Sequence, residues 1–207
     1  AHTKYSMKML PHYSLRAITN GVHSNTWTSP SFHQLFDKYI PGWASEPELL
    51  VRIDRAPNCD VWAAHEENKK ILLGLIETKT GEKLDETALT FGFARRATGY
   101  KRAKLIFSDL KRLKEVNKTY PLQFIFAGKA HPRDTNGKEL IKEIFEFKKE
   151  LKEEVKIVYV ENYDMQIAAK LTSGVDVWLN TPLPPLEASG TSGMKAAHNG
   201  VINFSVL

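Results

Sequence analysis

From residue 86 onward the apolar positions come in short runs separated by amphipathic stretches. Leu89 to Phe93, Leu122 to Ala127, Val155 to Val160, Val175 to Leu179 and Val201 to Val206 each read as a strand, the Val175 run as a buried one. Between them, Lys101 to Val116 carries Leu105, Ile106, Leu110 and Leu113 at helical spacing. Gly137 to Lys152 does the same with Leu140, Ile141, Ile144 and Phe147. Met165 to Leu171 and Thr191 to His198 are two shorter predicted helices. Strands and helices that alternate in this way predict an α/β fold with a parallel, doubly wound sheet. Ligands of such sheets bind beyond the carboxyl ends of the strands. That singles out four loops, 93–101, 127–134, 160–164 and 180–195.

Before residue 86 the pattern differs. Residues 1–28 are polar and irregular, with Thr19-Asn20-Gly21 as a tight turn. Ser29-Pro30 starts a helix whose apolar face is Phe32, Leu35, Phe36 and Ile40, and Pro41-Gly42 ends it. A longer helical pattern covers 57–78, with Asp60 as its cap and Val61, Ala64, Leu72, Leu73 and Ile76 at apolar positions. Residues 1–85 are therefore expected to be a helical, loop-rich appendage to an α/β domain at 86–207. His2, His12, His23 and His33 lack the spacing of a helical zinc site, and no metal is expected.

The fourth loop carries the most chemistry. Pro182, Pro184 and Pro185 stop the strand, and Ser189-Gly190-Thr191 lead into a helix. A helix N-terminus with small residues is a natural anion site. Lys195 lies four residues after Thr191 and shares its face. A lone lysine is most often a solvent-facing residue, so the other loops decide the matter. The first holds Arg95, Arg96, Lys101 and Arg102, the second Lys129 and Arg133, and the third Glu161 and Asp164. Guanidinium and ammonium groups at strand exits suit phosphate. Gly-x-Gly-x-x-Gly, P-loop and Gly-x-Ser-x-Gly patterns are absent. The residues alone thus predict an α/β domain that binds one or more phosphates beside a candidate reactive lysine.

The net charge of +5 fits an anionic small ligand. No basic stripe interleaved with aromatics points to nucleic acid. The single cysteine, Cys59, excludes an internal disulfide and agrees with a reducing, cytoplasmic setting. No apolar run nears the ~18 residues of a membrane span. The first residues are no signal peptide, and both ends look cut from a longer protein.

Glu187-Ala188-Ser189-Gly190-Thr191-x-x-Met194-Lys195 resembles the cofactor segment of the α-glucan (glycogen/maltodextrin) phosphorylases. Thr19-Asn20-Gly21, Arg96 with Tyr100-Lys101-Arg102, Gly128-Lys129-Ala130 and Glu161-Asn162-Tyr163 resemble further segments of that family in the same order. The flanking forms look like the shorter bacterial and archaeal branch. The resemblance implies the C-terminal, Rossmann-like half of a two-domain GT-B glycosyltransferase, with 1–85 as an interdomain segment and 86–207 as an incomplete cofactor- and phosphate-binding domain. It implies pyridoxal 5'-phosphate held covalently by Lys195, with Gly190, Thr191, Lys101, Arg95 and Tyr163 around it. Arg96 and Lys101 would hold the substrate phosphate. Glu187, Ser189, Gly190, Tyr100 and Asn20 would contact the glucosyl unit. The implied partners are α-1,4-glucan, inorganic phosphate, glucose 1-phosphate and the N-terminal half of the same protein, in a monomer or a homo-oligomer. Arg95 stands where many relatives carry lysine. The 207 residues alone are expected not to turn over glucan. Two rival readings are a nucleotide-sugar-dependent glucan synthase-like domain of the same architecture, which has no use for Lys195, and a non-catalytic truncated phosphate-binding domain.

Overall fold

The computed structural model describes residues 3–16, 18–187 and 189–206; His2 and Ala188 lie outside them. The N-terminal part holds helices α1 (Thr3–Met9), α2 (Ser24–Trp27) and α3 (Pro30–Tyr39), a 3-10 segment (Pro47–Arg55) and the long helix α4 (Asn58–Thr80). Next come strand β1 (Leu89–Ala94), two 3-10 turns (Gly99–Lys101 and Ala103–Phe107), helix α5 (Leu110–Thr119) and strand β2 (Leu122–Ala127). Helix α6 (Thr135–Glu150), strand β3 (Lys156–Val160), helix α7 (Met165–Gly174) and strand β4 (Val177–Asn180) follow. Helix α8 (Thr191–Ala197) and strand β5 (Ile202–Ser205) complete the fold. Asp109, Asp134 and Asp164 each cap the following helix, accepting from the N–H of Arg112, Gly137 and Ile167.

The five strands form one parallel sheet in the order β3-β2-β1-β4-β5. Phe91 and Gly92 are the shared register points, opposite Phe124 and Ile125 of β2 and Val177 and Trp178 of β4. The chain runs β1, β2, β3 in one direction and then crosses back to place β4 on the other side of β1. The reversal makes the gap between β1 and β4 the switch point of the sheet.

Alternating side chains feed two cores. Phe93, Phe124, Phe126, Ile157 and Tyr159 point to one side and pack with Phe107, Leu113 and Ile144 of the connections and helices there. Ala94, Ile125, Ala127, Val158, Val160 and Trp178 point to the other and pack with Leu72, Leu73 and Ile76 of α4, Ile167 and Leu171 of α7, and Ala196 of α8. The strands β1 to β4 are thus largely buried on both faces, as their near-continuous apolar runs require, whereas the edge strand β5 is exposed, Ile202 and Phe204 included. Helix α4 is a full member of the second layer, placing Leu72, Leu73 and Ile76 in the same core as the strands. A Cβ on Gly174 of α7 would stand 2.7 Å from the Asn68 carbonyl of α4, which shows how closely the two helices pack. A third cluster joins Phe32, Leu35, Phe36, Ile40, Trp43 and Ala56 to Ala64 near the start of α4.

Three sequence expectations are corrected. The single helix at 101–116 is two 3-10 turns followed by a helix that restarts at Leu110. Arg102 breaks it: its backbone is left-handed (φ 53°) and its guanidinium reaches back to the carbonyls of Thr181 and Pro182. In consequence Leu105 is exposed and leaves the apolar stripe. Asp60 is not the cap of α4, which starts after Pro57; its carboxylate accepts from Lys38 and Tyr39 on α3. Finally, residues 1–28 are not wholly irregular, since they contain α1 and α2.

Candidate functional site

At the switch point the loop after β1 meets the loop after β4. The Nε of Arg102 donates to the Thr181 carbonyl at 2.7 Å, and Thr181 Oγ1 donates to the Lys101 carbonyl at 3.2 Å. The Leu183 N–H donates to the Tyr100 carbonyl at 2.7 Å. The loop after β2 adds a third layer, because the N–H groups of Arg95 and Ala97 donate to the carbonyls of Ala127 and Lys129. Three of the four loops singled out from sequence are therefore fixed to one another by main-chain bonds.

Their closeness leaves no room at Gly128. Its φ is +146°, and a Cβ there would lie 2.0 Å from the Arg95 carbonyl oxygen. Gly128→Ala is expected to cost about 2 kcal/mol or more, the combined effect of a disallowed conformation and a main-chain clash. Urea unfolding measures this directly; an unchanged midpoint would contradict the packing described.

The stitched loops bring charges together. Arg95 is buried, and its Nη1 lies 3.2 Å from Glu187 Oε2. Lys101 Nζ pairs with the same carboxylate oxygen. Arg95 Nη2 donates to Ser192 Oγ at 2.9 Å in the first turn of α8, and Trp178 Nε1 donates to that hydroxyl at 3.2 Å. Burial pushes the Arg95 guanidinium down from its ordinary value, and Glu187 pulls it back up. Its Nε is buried without a partner among the described residues, as is Thr98 Oγ1. Tyr100 flanks the pair, with Lys101 Nζ 4.7 Å from its ring centroid. Tyr163 is half-buried against the core that holds Trp178 and Ala196. Burial pushes its phenol up, while the Arg95 charge pulls it down.

Glu187 therefore occupies the position of an anion between two cations. Glu187→Gln is expected to raise the affinity of these loops for inorganic phosphate about tenfold, or ~1.4 kcal/mol. Calorimetric titration with phosphate tests it, and weaker binding in the variant would sink the idea.

Lys195 lies on α8, whose N-cap Gly190 makes no side-chain capping bond. Its Nζ stands 3.5 Å from the centroid of the Trp27 ring, a cation–π contact. Burial lowers the Lys195 ammonium below the ordinary lysine value, which raises its fraction of neutral, nucleophilic amine. Ser189, Gly190 and Thr191 lie half-buried at the head of α8. Arg96 is exposed beside a cavity of about 20 Å³ that Arg95, Thr98 and Lys101 also line. Asn20 is exposed in the segment before α2. The structure thus joins Arg95, Lys101 and Glu187 directly and leaves Arg96 and Asn20 without a side-chain bond to them among the described residues.

Sequence reading missed four contributors: Trp27, Trp178, Ser192 and Asn199. Ser192 falls inside the quoted motif, at a position written there as variable. Trp27 lies eight residues after the turn at Thr19, and no local pattern ties it to Lys195. The fit of the site to pyridoxal phosphate rests on three observations. Lys195 presents a half-buried amine on an aromatic ring, Arg95 retains a buried unpaired N–H, and Lys101 and Arg95 supply the cations for a phosphate.

A family model for carbohydrate phosphorylase matches residues 4–207. The chain is 45% identical to a maltodextrin phosphorylase of Thermococcus litoralis over 93% of its length, covering 25% of that relative. It is 43% identical to a glycogen phosphorylase of Aquifex aeolicus over 92% of its length, covering 31%. A glycogen phosphorylase of Mycobacterium tuberculosis shares 37% identity over 92% of the chain and 24% of the relative. The chain spans about a quarter to a third of the length of these curated relatives.

Proposed function

This chain belongs to the carbohydrate phosphorylase family, and we propose that it forms the cofactor- and phosphate-binding part of an enzyme that transfers a terminal α-1,4-linked glucosyl unit to inorganic phosphate. The observation that carries this reading is the convergence of Arg95 and Lys101 on one carboxylate at the switch point, directly before the helix that bears Lys195. In the reaction the bond from C1 to the glycosidic oxygen breaks and a bond from C1 to a phosphate oxygen forms. The proton of phosphate passes to the departing glycosidic oxygen, and glucose 1-phosphate leaves with retained configuration. Pyridoxal 5'-phosphate supplies, when bound, a second phosphate dianion beside the first.

The chain's own residues perform the rest. Lys195 would hold the cofactor covalently, and burial lowers its ammonium below the ordinary lysine value. Lys101, Arg95, Gly190 and Thr191 would hold its phosphate, with Tyr163 beside it. Arg96 and Lys101 would bind the substrate phosphate, where their fixed positive charge would stabilise negative charge in the transition state. Glu187, freed from the two cations when phosphate enters, accepts from sugar hydroxyls together with Ser189, Tyr100 and Asn20. No pair of carboxylates flanking the glycosidic bond is required, in contrast to ordinary glycosidases.

Borohydride reduction of the full-length protein followed by peptide mass spectrometry tests the reading. The expected result is a pyridoxyl adduct on Lys195. An adduct on another lysine alone, or none in protein saturated with cofactor, would overturn it.

A further inference from the structure

Two consecutive residues just beyond Lys195, His198 and Asn199, clasp the N-terminal segment against α8. Asn199 has no exposed surface. Its Nδ2 donates to the Lys195 carbonyl at 2.8 Å and to the Trp27 carbonyl at 2.8 Å, and its Oδ1 accepts from the Ser29 N–H at 2.7 Å. A carboxamide offers two donors on one end and an acceptor on the other; here both ends are engaged, and with main chain only. His198 assists from the next position. Its Nδ1 stands 2.7 Å from the Met194 carbonyl, which can only accept, so this nitrogen carries the hydrogen. The other ring nitrogen, Nε2, then accepts from the buried Ser24 hydroxyl at 2.8 Å. Ser24, Trp27 and Ser29 thus hang from the end of the helix that bears Lys195, and the Trp27 indole is the group that meets the Lys195 amine.

We propose that Asn199 is a positioning residue for Lys195, fixing the main chain of the lysine to that of Trp27 so that the indole face covers and aims the amine. The inference rests on the reading of Lys195 as the cofactor lysine for its purpose, although not for its geometry. Asn199 touches neither cofactor nor substrate; it acts through Trp27. Alanine at 199 frees two carbonyls and an N–H inside the protein, and the segment 24–29 loses its register on α8. Aspartate keeps the shape, but it has no N–H to offer the two carbonyls and opposes them with charge. Trp27→Leu removes the covering ring and leaves the clasp intact, so it isolates the second half of the device.

The test begins without cofactor. Acetic anhydride labelling of the full-length, cofactor-free protein, read by peptide mass spectrometry, gives the reactivity of Lys195 against exposed Lys142 as an internal standard. The Lys195-to-Lys142 ratio of the wild type, with the indole over the Lys195 amine, sets the baseline. In both Asn199→Ala and Trp27→Leu the ratio is expected to rise at least threefold, and Trp27→Phe should restore it. Combining the two variants should add nothing, since both act through one contact. Induced circular dichroism of bound pyridoxal 5'-phosphate supplies a second readout, because an achiral cofactor reports the geometry of its attachment. Its intensity is expected to fall in Asn199→Ala and in Trp27→Leu, and to be retained in Trp27→Phe. A folded Asn199→Ala protein with wild-type labelling and wild-type dichroism would reduce Asn199 to a structural role. If that variant does not fold, an unchanged labelling ratio in Trp27→Leu overturns the proposal by itself. Failure of the cofactor reading would look different, namely a pyridoxyl adduct elsewhere in the wild type with the labelling pattern intact.

Discussion

Lys195→Ala is expected to abolish the borohydride-stable pyridoxyl adduct and to lower glucan phosphorolysis by the full-length protein at least about a thousandfold, ~4 kcal/mol of barrier. The size follows from what the lysine does. On the proposed reading, a covalent anchor would fix the cofactor's phosphate against the cations of the β1 loop, and positioning of that kind accounts for large rate factors. Lys195→Arg is the sharper variant. It keeps the positive charge and can keep the contact with Trp27, but a guanidinium does not condense with the aldehyde. Both variants should therefore lose the adduct alike. Neither should unfold the protein, because the side chain is half-exposed and its one contact of note is the indole, worth about 0.5–2 kcal/mol. Absorbance of the bound cofactor and initial rates of glucose 1-phosphate release provide the measurement. A variant that keeps near-normal turnover would show that this lysine does not carry the chemistry.

The placement of Lys195 on a short helix after a proline-stopped strand was legible because that pattern is local: strand, proline stop, small residues and helix follow one another directly, and the structure reproduces them as β4, loop and α8. The parallel sheet was legible for a similar reason, since each strand is a short apolar run closed by polar residues. What pairs with Lys195 was not legible. Trp27 is 168 positions away and is tied to α8 by tertiary bonds alone, those of the Asn199 carboxamide and of His198 to Ser24. The broken helix at 101–107 failed for the opposite reason. Its apolar spacing fits a helix well, but Arg102 gains more from the carbonyls of the facing loop than from a helical turn. Tertiary contacts override propensity where a loop must serve a site. The Arg95–Glu187–Lys101 arrangement shows the same limit. The three charges were each singled out, but the resemblance assigned Arg95 and Lys101 to phosphate and Glu187 to the sugar, and the structure pairs both cations with the carboxylate.

Asp176 carried a signal of another kind, an acid inside the run Val175-Asp176-Val177-Trp178. A carboxylate in a buried strand needs partners, and they come from α4 and β1. His65 Nε2 lies 2.7 Å from Oδ1, and Lys69 Nζ lies 2.6 Å from Oδ2. The Thr90 N–H donates to the same Oδ2 at 2.7 Å, and Lys69 also donates to the Ala88 carbonyl. The cluster sits at the amino ends of β1 and β4, on the side of the sheet away from the site. It therefore holds α4 in place without touching the chemistry. Asp176→Asn keeps the volume, removes the charge and leaves Lys69 as a buried cation without its counter-ion. The expected loss is about 3–5 kcal/mol. At about 2–4 °C per kcal/mol for a chain of this size, the melting temperature should fall by roughly 6–20 °C. Replacing the pair together, Asp176→Leu with Lys69→Met, should cost less than Asp176→Asn alone, since no charge is then stranded. The pH dependence has a definite sign. Burial pushes the Asp176 carboxyl up, but the bonds from His65, Lys69 and Thr90 outweigh it and hold the group below its ordinary value. A depressed carboxyl stabilises the fold above its unfolded value of about 3.9 and loses that contribution as the pH falls through the lower folded value. Wild type and Asp176→Asn should thus differ fully at pH 7 and converge only below about pH 4. Thermal unfolding of both proteins across that range decides the point; a gap that stays constant into acid would mean that the charge of Asp176 is not what stabilises the fold.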